Sequence, residues 1–588
     1  MTNVRTWLPA TVIFPDLTVS FDNFLNELRK LSRTDTVLCA AHFNNILSNS
    51  NNLHIDAQQH IINDHFTKDQ LELIIQFQRD NIKTREEIAI LTRRSLLDMI
   101  RYASIYCIDF PDDGIGYNSN AWQSFFKCVL MLPELLGYYR MSDEDDISLG
   151  DVLLREAGHF RNSVRDNSPD ILEAIAFGRC ISLYEHLKNH LIDLDNIFFA
   201  KFKLTHDQFL RCALILKLYQ RADTSLKSLS TTYYKVGSGV MHYDHLNIYG
   251  LIQEELVQFI DAVSIDIDSL GQEYISRHED DCQMSWHRIL RDKPIIKTSD
   301  KRFIVSDFKY LTENIIHGYL FTISPKDERN NYLSNFGKAY EDYANSLFHS
   351  IADHQRLEII FNYIIEKTAG DYKEIDSLLQ CGHDIILIES KARWLKDDAI
   401  LDINPFAYSK ELVNKYSESE GKNQLVNGIK RITELFEPKP RHVYSILTVY
   451  DEDFLHETDY QILLYDFHKN INLCSRADDY PECYRLNDVI IHAPIIVNIS
   501  EIEHLESVKE NVNFYEVVIE YARTCPKRNH SFYEYLDMKL YIMGDLLWSG
   551  KQKPSEIFRQ FYNKMDIDNI MKYALSESRK TNGIDESG

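Results

Sequence analysis

The chain has 588 residues, 44% of them apolar and 26% charged, with a formal net charge of −25. That length exceeds what one core usually holds, so two or three domains are expected, and the composition is that of an ordinary globular protein. The acid excess counts against a protein that coats nucleic acid, because phosphate binding needs local Lys and Arg, but it leaves room for an enzyme with one basic groove on an acidic surface.

Ten cysteines are scattered singly from Cys39 to Cys525, with no C-x-x-C pair. This suits a reducing compartment and argues against a disulfide framework or a zinc finger. The start, Met1-Thr2-Asn3-Val4-Arg5, lacks the basic head and apolar core of a signal peptide. No apolar run approaches the roughly 18 residues that span a bilayer. A soluble, cytoplasmic protein with no membrane partner is expected.

In chain order, Trp7 to Val19 reads as irregular or as a strand, and residues 1–290 read as mainly helical. Leu71–Phe77 and Ile88–Tyr102 have helical spacing, and Met141–Asp146 is an acidic loop. Thr205 and Gln208 form a capping-box pattern ahead of Phe209, Leu210, Ala213, Leu214 and Leu218, which predicts a helix to about Ala222. Near Asp292 the texture changes. Two short strands are expected, Lys293–Ile296 and Arg302–Val305, then a helix from about Tyr310 to Tyr319 and a polar break at Ser324–Glu328.

A mixed α/β unit follows: a helix at Tyr332–Ser350, a strand at Glu358–Ile365, a hairpin at Lys373–Arg393, a helix at Asn423–Phe436 and a strand at His442–Tyr450. A late strand, Asp488–Asn498, leads into two helices ending near Thr524, and the last dozen residues should fray. The expected division is a helical accessory region over 1–290, a mixed α/β domain over 291–545 with its core at 333–450, and a C-terminal helix and tail over 546–588.

The hairpin carries the chemistry. The run Tyr372-Lys373-Glu374-Ile375-Asp376-Ser377-Leu378-Leu379 is joined by the turn Cys381-Gly382-His383 to Asp384-Ile385-Ile386-Leu387-Ile388-Glu389-Ser390-Lys391-Ala392-Arg393. Ile385–Ile388 is apolar on both faces, as in a central strand covered on both sides. Residues two apart on a strand share a face, so Glu389 and Lys391 point the same way, and the hairpin can bring Asp376 beside them. Two carboxylates can hold a divalent ion that activates water and relieves charge on a phosphodiester. Mg²⁺ keeps several waters, so few protein ligands suffice. A lysine beside the metal, its proton affinity lowered by the cation, can orient or deprotonate the water. Upstream, Glu341 lies beside the stripe Phe336, Tyr340, Ala344, Leu347 and Phe348. Downstream, Lys422 and Gln424 open a helix whose start suits a phosphate.

In this order these parts resemble the PD-(D/E)xK nuclease superfamily, over about Leu333 to Tyr450. The resemblance implies a restriction-endonuclease-like domain with a mixed four-stranded sheet flanked by helices, and Mg²⁺-dependent cleavage of nucleic acid, with Mn²⁺ able to substitute. Carried over, Asp376 and Glu389 match the metal-binding acids, Lys391 the catalytic lysine, Glu341 the helix acid and Gln424 the auxiliary glutamine. Ile375 stands where many members have Pro. Other acid-x-Lys tripeptides, such as Asp307-Phe308-Lys309 and Asp537-Met538-Lys539, lack the preceding apolar strand.

Arg393, Lys396, Lys422, Lys430, Arg431, Lys439 and Arg441 are candidates for a phosphate-tracking groove, and Trp394 for core packing or base stacking. His242-Tyr243-Asp244-His245 reads as a polar turn in preference to a metal site. Gly237-Ser238-Gly239 is too short for a phosphate loop, and no Walker A motif is present. The expectation is a nuclease acting on DNA before RNA, in defence against foreign DNA, alone, as a homo-oligomer or with a separate defence partner. The rivals are a binding or scaffold protein on an inactive nuclease fold and a structure-specific repair nuclease. The helical region is expected to serve targeting or assembly and to be separable from the chemical centre.

Overall fold

The computed structural model describes residues 6–48, 63, 65–81, 88–110, 119–135, 170–190, 193–223, 240–277, 287–315, 329–368, 371–392, 405–416, 418–419, 422–450, 457–471, 475–476, 483–524, 532, 535–536, 538–539 and 553–581. The expected features at Met141–Asp146, Gly237–Gly239 and Ser324–Glu328 lie outside them.

Helices and sheets are mixed, and among the described residues no helix is long and apolar enough to cross a membrane. The first part is mostly helical. Its helix His206–Asp223 begins as expected, with Thr205 and Gln208 exchanging side-chain-to-backbone hydrogen bonds. The expected helix over Ile88–Tyr102 is shorter. Ile88–Ala89 pairs in parallel with Thr6–Trp7, and the helix Arg93–Tyr106 starts after the Thr92 cap, whose hydroxyl accepts from the Ser95 amide. Tertiary pairing thus overrides the helical spacing of the first residues.

Strand pairing crosses residue 290. Ile295–Lys297 runs parallel to Ser264–Asp266 and antiparallel to Arg302–Val305, which pairs with Met241–His242. Asp307 caps the helix Phe308–Glu313 and accepts from buried Arg93 at 2.6 Å and Asn44 at 2.8 Å. Residues from 8 to 132 and from 265 to 310 consequently share one hydrophobic cluster.

The remaining elements are labelled as follows. Helix α1 is Asp170–Asn189 and α2 is Arg329–Gln355. Strands β1 (Glu358–Thr368), β2 (Asp371–Cys381) and β3 (Asp384–Lys391) form an antiparallel meander. Helix α3 (Gln424–Leu435) crosses to β4 (His442–Val449), which is parallel to β3. The late strand is divided into β5 (Val489–Ile491) and β6 (Ile495–Asn498), both parallel to β4, and helix α4 is Ile499–Ser507. The division falls at His492-Ala493-Pro494, where proline has no amide to give a ladder. With the short strands Ser475–Arg476 and Tyr484–Leu486, the sheet has eight strands among the described residues, twice the four expected. The C-terminal end is two helices, Lys553–Lys564 and Ile567–Thr581, so part of the expected frayed tail is helical.

Two layers enclose the sheet. On one face α2, through Tyr340, Ala344 and Leu347, shares a cluster with Leu379, Ile386, Ile388 and Ile446. On the other, α3 packs Val426, Ile429 and Ile432 against Leu378, Ile385, Leu387 and Val443. Residues 385–388 of β3 are at most 1% exposed, which is why that run is apolar on both faces.

Candidate active site

The turn Gly382-His383 sets the register of the hairpin. Gly382 takes φ 63°, a conformation that costs glycine little and lets two residues close the turn. Pairing then runs from Cys381↔Asp384 to Ser377↔Ile388. The next pair in that register is Asp376 and Glu389. The ladder ends there, and the Asp376 Oδ2 oxygen takes the Ser390 amide at 2.7 Å in place of a backbone carbonyl.

Glu389 is 4% exposed. Lys391, two residues on, donates to Glu389 Oε1 at 2.6 Å and to the Gln424 side-chain oxygen at the start of α3. Glu341 is half-buried on α2, and Glu389 and Lys391 are the charges that act on it most strongly. Asp376, Glu389, Lys391 and Gln424 thus meet at the C-terminal end of β3, with Glu341 reaching the same field from the helix.

The electrostatics follow from burial. Desolvation first, then the charges of Glu389 and Glu341, push Asp376 up to about 8, against the pull of Lys391 and the Ser390 amide. Glu341 is raised for the same first two reasons, burial and Glu389, again opposed by Lys391. Among the described residues three carboxylates face one ammonium in a partly dry site, so this group favours an added cation or proton. In the metal-free protein, Asp376 binds a proton in the folded state between its ordinary range near 4 and about 8. Its contribution to stability therefore falls as pH rises through that window. The expected result is that Asp376→Asn raises the melting temperature of metal-free protein relative to wild type at pH 8–9, with the gain vanishing near pH 4. A melting series in EDTA checks it, and a gain that grows toward acid would reverse the sign.

The donor set is all oxygen, which suits Mg²⁺ or Mn²⁺ over softer metals. Among the described residues no group of three or more His, Cys, Asp or Glu side chains is arranged to hold a metal ion. Two acids are the most that this arrangement offers directly, a number that Mg²⁺ with its retained waters accepts.

The expected basic groove divides differently. Arg393, Lys396 and Trp394 lie outside the described residues, as does the side chain of Lys422, whose backbone precedes α3. Lys430 turns away to the Asn470 carbonyl at 3.3 Å, and Arg431 sits beside it on α3, more than a turn beyond Gln424. Lys439 and Arg441 are not part of this site. Parallel pairing sets His442 beside Asp384 and Val449 beside Lys391, so Arg441 lies at the opposite end of β4, roughly 26 Å along the strand from Val449. His242 ends a short strand and caps the 3-10 helix Tyr243–Ile252, which contains His245, and its ring accepts from the Asp244 amide.

Some contributors were not singled out in the sequence. The buried guanidinium of Arg179 on α1 makes two hydrogen bonds to Glu503 on α4, at 2.6 and 2.5 Å, and Tyr343 on α2 donates to the same carboxylate at 2.7 Å. Tyr343 lies two residues past Glu341, so the pair helps set the helix that carries that acid. Arg179 and Glu503 are 324 residues apart, and neither stands in a motif. Asn362 on β1 was visible as the one amide in the apolar run Ile359–Ile365.

Family models, curated proteins and solved structures were compared with the chain, and none matches.

Proposed function

We propose that the chain is a divalent-metal-dependent nuclease of the PD-(D/E)xK type, acting on DNA, with Asp376, Glu389 and Lys391 at its centre. The observation that carries this reading is the juxtaposition of Asp376 and Glu389 across the hairpin, one step beyond its last ladder pair, beside Lys391 and Gln424. The order α2–β1–β2–β3–α3–β4, with an antiparallel meander and one parallel crossover, supports the restriction-endonuclease-like arrangement.

In this reading Asp376 and Glu389 would hold the metal, and Glu341 on α2 would add negative charge to the site without ligating directly. A bound Mg²⁺ supplies Lewis-acid polarisation of the phosphate and a more acidic water. Lys391 orients the attacking water and shares its proton, and Gln424 keeps the ammonium at the strand end. The Ser390 amide holds one Asp376 oxygen fixed. Cleavage of foreign DNA by a single chain, a homo-oligomer or a chain with a separate partner is the context proposed.

A second reading, a nucleic-acid-binding or scaffold protein on an inactive nuclease fold, is favoured by one observation: Lys391 already pairs with Glu389. One experiment separates the two. Plasmid, linear and single-stranded DNA, and RNA, are incubated with the protein in Mg²⁺, in Mn²⁺ and in EDTA. Cleavage of DNA in either metal and none in EDTA is the expected result. Full activity in EDTA would overturn the metal mechanism, and binding without cleavage in any metal would favour the scaffold.

A further inference from the structure

Asp376 leaves its ladder at a place where its own strand β2 and the neighbouring β1 also break their alternation. On β1 and β2, pairing runs Phe361↔Ser377 and then Tyr363↔Ile375, so the pair Asn362 and Asp376 is skipped while the register is unchanged. The faces switch at the same point. Ile360 and Leu378 on one side of the skipped pair, and Tyr363 and Ile375 on the other, all pack in the cluster under α3. Strict alternation would send one of each pair to the opposite face. Ile375 reaches α3 closely enough that a Cβ at Gly428 would lie 3.6 Å from it. Ser377 faces the other way and donates to the Asn345 side-chain oxygen on α2 at 2.6 Å. The switch is therefore clamped from both layers.

Its backbone origin is Asn362, which has φ 50° in the middle of an eleven-residue strand. Few residues adopt that left-handed conformation, Asn and Gly chief among them, and β-branched residues are outliers there. The Asn362 side chain is exposed, so it is not held there by core packing.

We propose that Asn362 is a positioning residue for the acid centre. Its left-handed backbone imposes the face switch across β1 and β2, which takes Asp376 out of the ladder and lets its carboxylate bind the Ser390 amide beside Glu389. The role as an aid to metal binding rests on the nuclease reading; the link from Asn362 to the Asp376–Ser390 contact does not.

The test uses the full chain with Asn362→Gly, which keeps the left-handed conformation available, and Asn362→Val, which opposes it. Hydrogen exchange of metal-free protein is read by mass spectrometry over peptides containing Ser390, and Mn²⁺ affinity by calorimetry. Asn362→Val is expected to speed exchange at Ser390 and to weaken Mn²⁺ binding about tenfold, while Asn362→Gly restores both to near wild type. Asn362→Ala carries the same backbone opposition in milder form and replaces Asn362→Val if that variant does not fold. Wild-type exchange at Ser390 in a folded Val or Ala variant would overturn the proposal, as would equal damage by Gly and Val. If wild type binds no Mn²⁺, the nuclease reading fails, and the exchange measurement still decides the role of Asn362.

Discussion

Lys391→Ala and Asp376→Ala are each expected to lose DNA cleavage by at least about a hundredfold, the scale on which loss of a general acid–base group is usually felt. The two should part in metal binding. Lys391 now neutralises Glu389 at 2.6 Å, so its removal frees an acid and takes away a competing positive charge. Lys391→Ala should bind Mn²⁺ at least as tightly as wild type. Asp376→Ala removes a ligand and should lose most binding. Neither change should unfold the protein. Asp376 is held as a strained acid by burial and by Glu389, so its loss relieves repulsion in the metal-free state. Calorimetric Mn²⁺ titration beside a nuclease assay and a melting curve provides the check. A folded Lys391→Ala that cleaves at the wild-type rate would reduce Glu389-Ser390-Lys391 to an ordinary strand end.

Arg179→Ala should be more damaging to the fold than any change at the acid centre. Arg179 is 1% exposed and Glu503 is fully buried. Their bidentate pair joins α1, from the helical part of the chain, to α4, and the shared Tyr343 joins both to α2. Removing one partner leaves Glu503 as an uncompensated buried charge, a loss of about 3–5 kcal/mol. Replacing both, as Arg179→Met with Glu503→Leu, removes the charges together and should recover much of that loss. Chemical denaturation of wild type, Arg179→Ala and the double variant checks the argument, and an Arg179→Ala variant as stable as wild type would refute it. The same pair bears on the separability of the helical region. A fragment beginning near residue 291 would lack Arg179 and expose the surfaces that Phe177, Leu183 and Phe209 share with the sheet and its helices. Such a fragment should be destabilised even though all five candidate catalytic residues lie within it.

Local pattern made much of the site legible. Ile385–Ile388 announced a strand buried on both faces because both layers need apolar partners, and the following Glu389-Ser390-Lys391 could then only be its end. The two-residue turn at Gly382 determined the register, which carries Asp376 to the position across from Glu389, one step beyond the last ladder pair. The start of α3 at Gln424 was legible from helical spacing that begins there. Lys439 and Arg441 are close to the site in sequence but not in space. The parallel crossover to β4 carries them to the far end of the sheet.

By itself, then, the sequence determined the hairpin, its buried central strand and the identity of the acids and lysine at its end, because these depend on interactions between residues a few positions apart. Only the tertiary structure decided which distant groups complete the centre: Glu341 brought over the strand end by α2, Arg179 buried against Glu503, and Asn362 breaking the pleat opposite Asp376. The physical reason is that a buried charge or a left-handed backbone is selected by the partners packed around it, and those partners lie on other elements of the fold, up to hundreds of residues away.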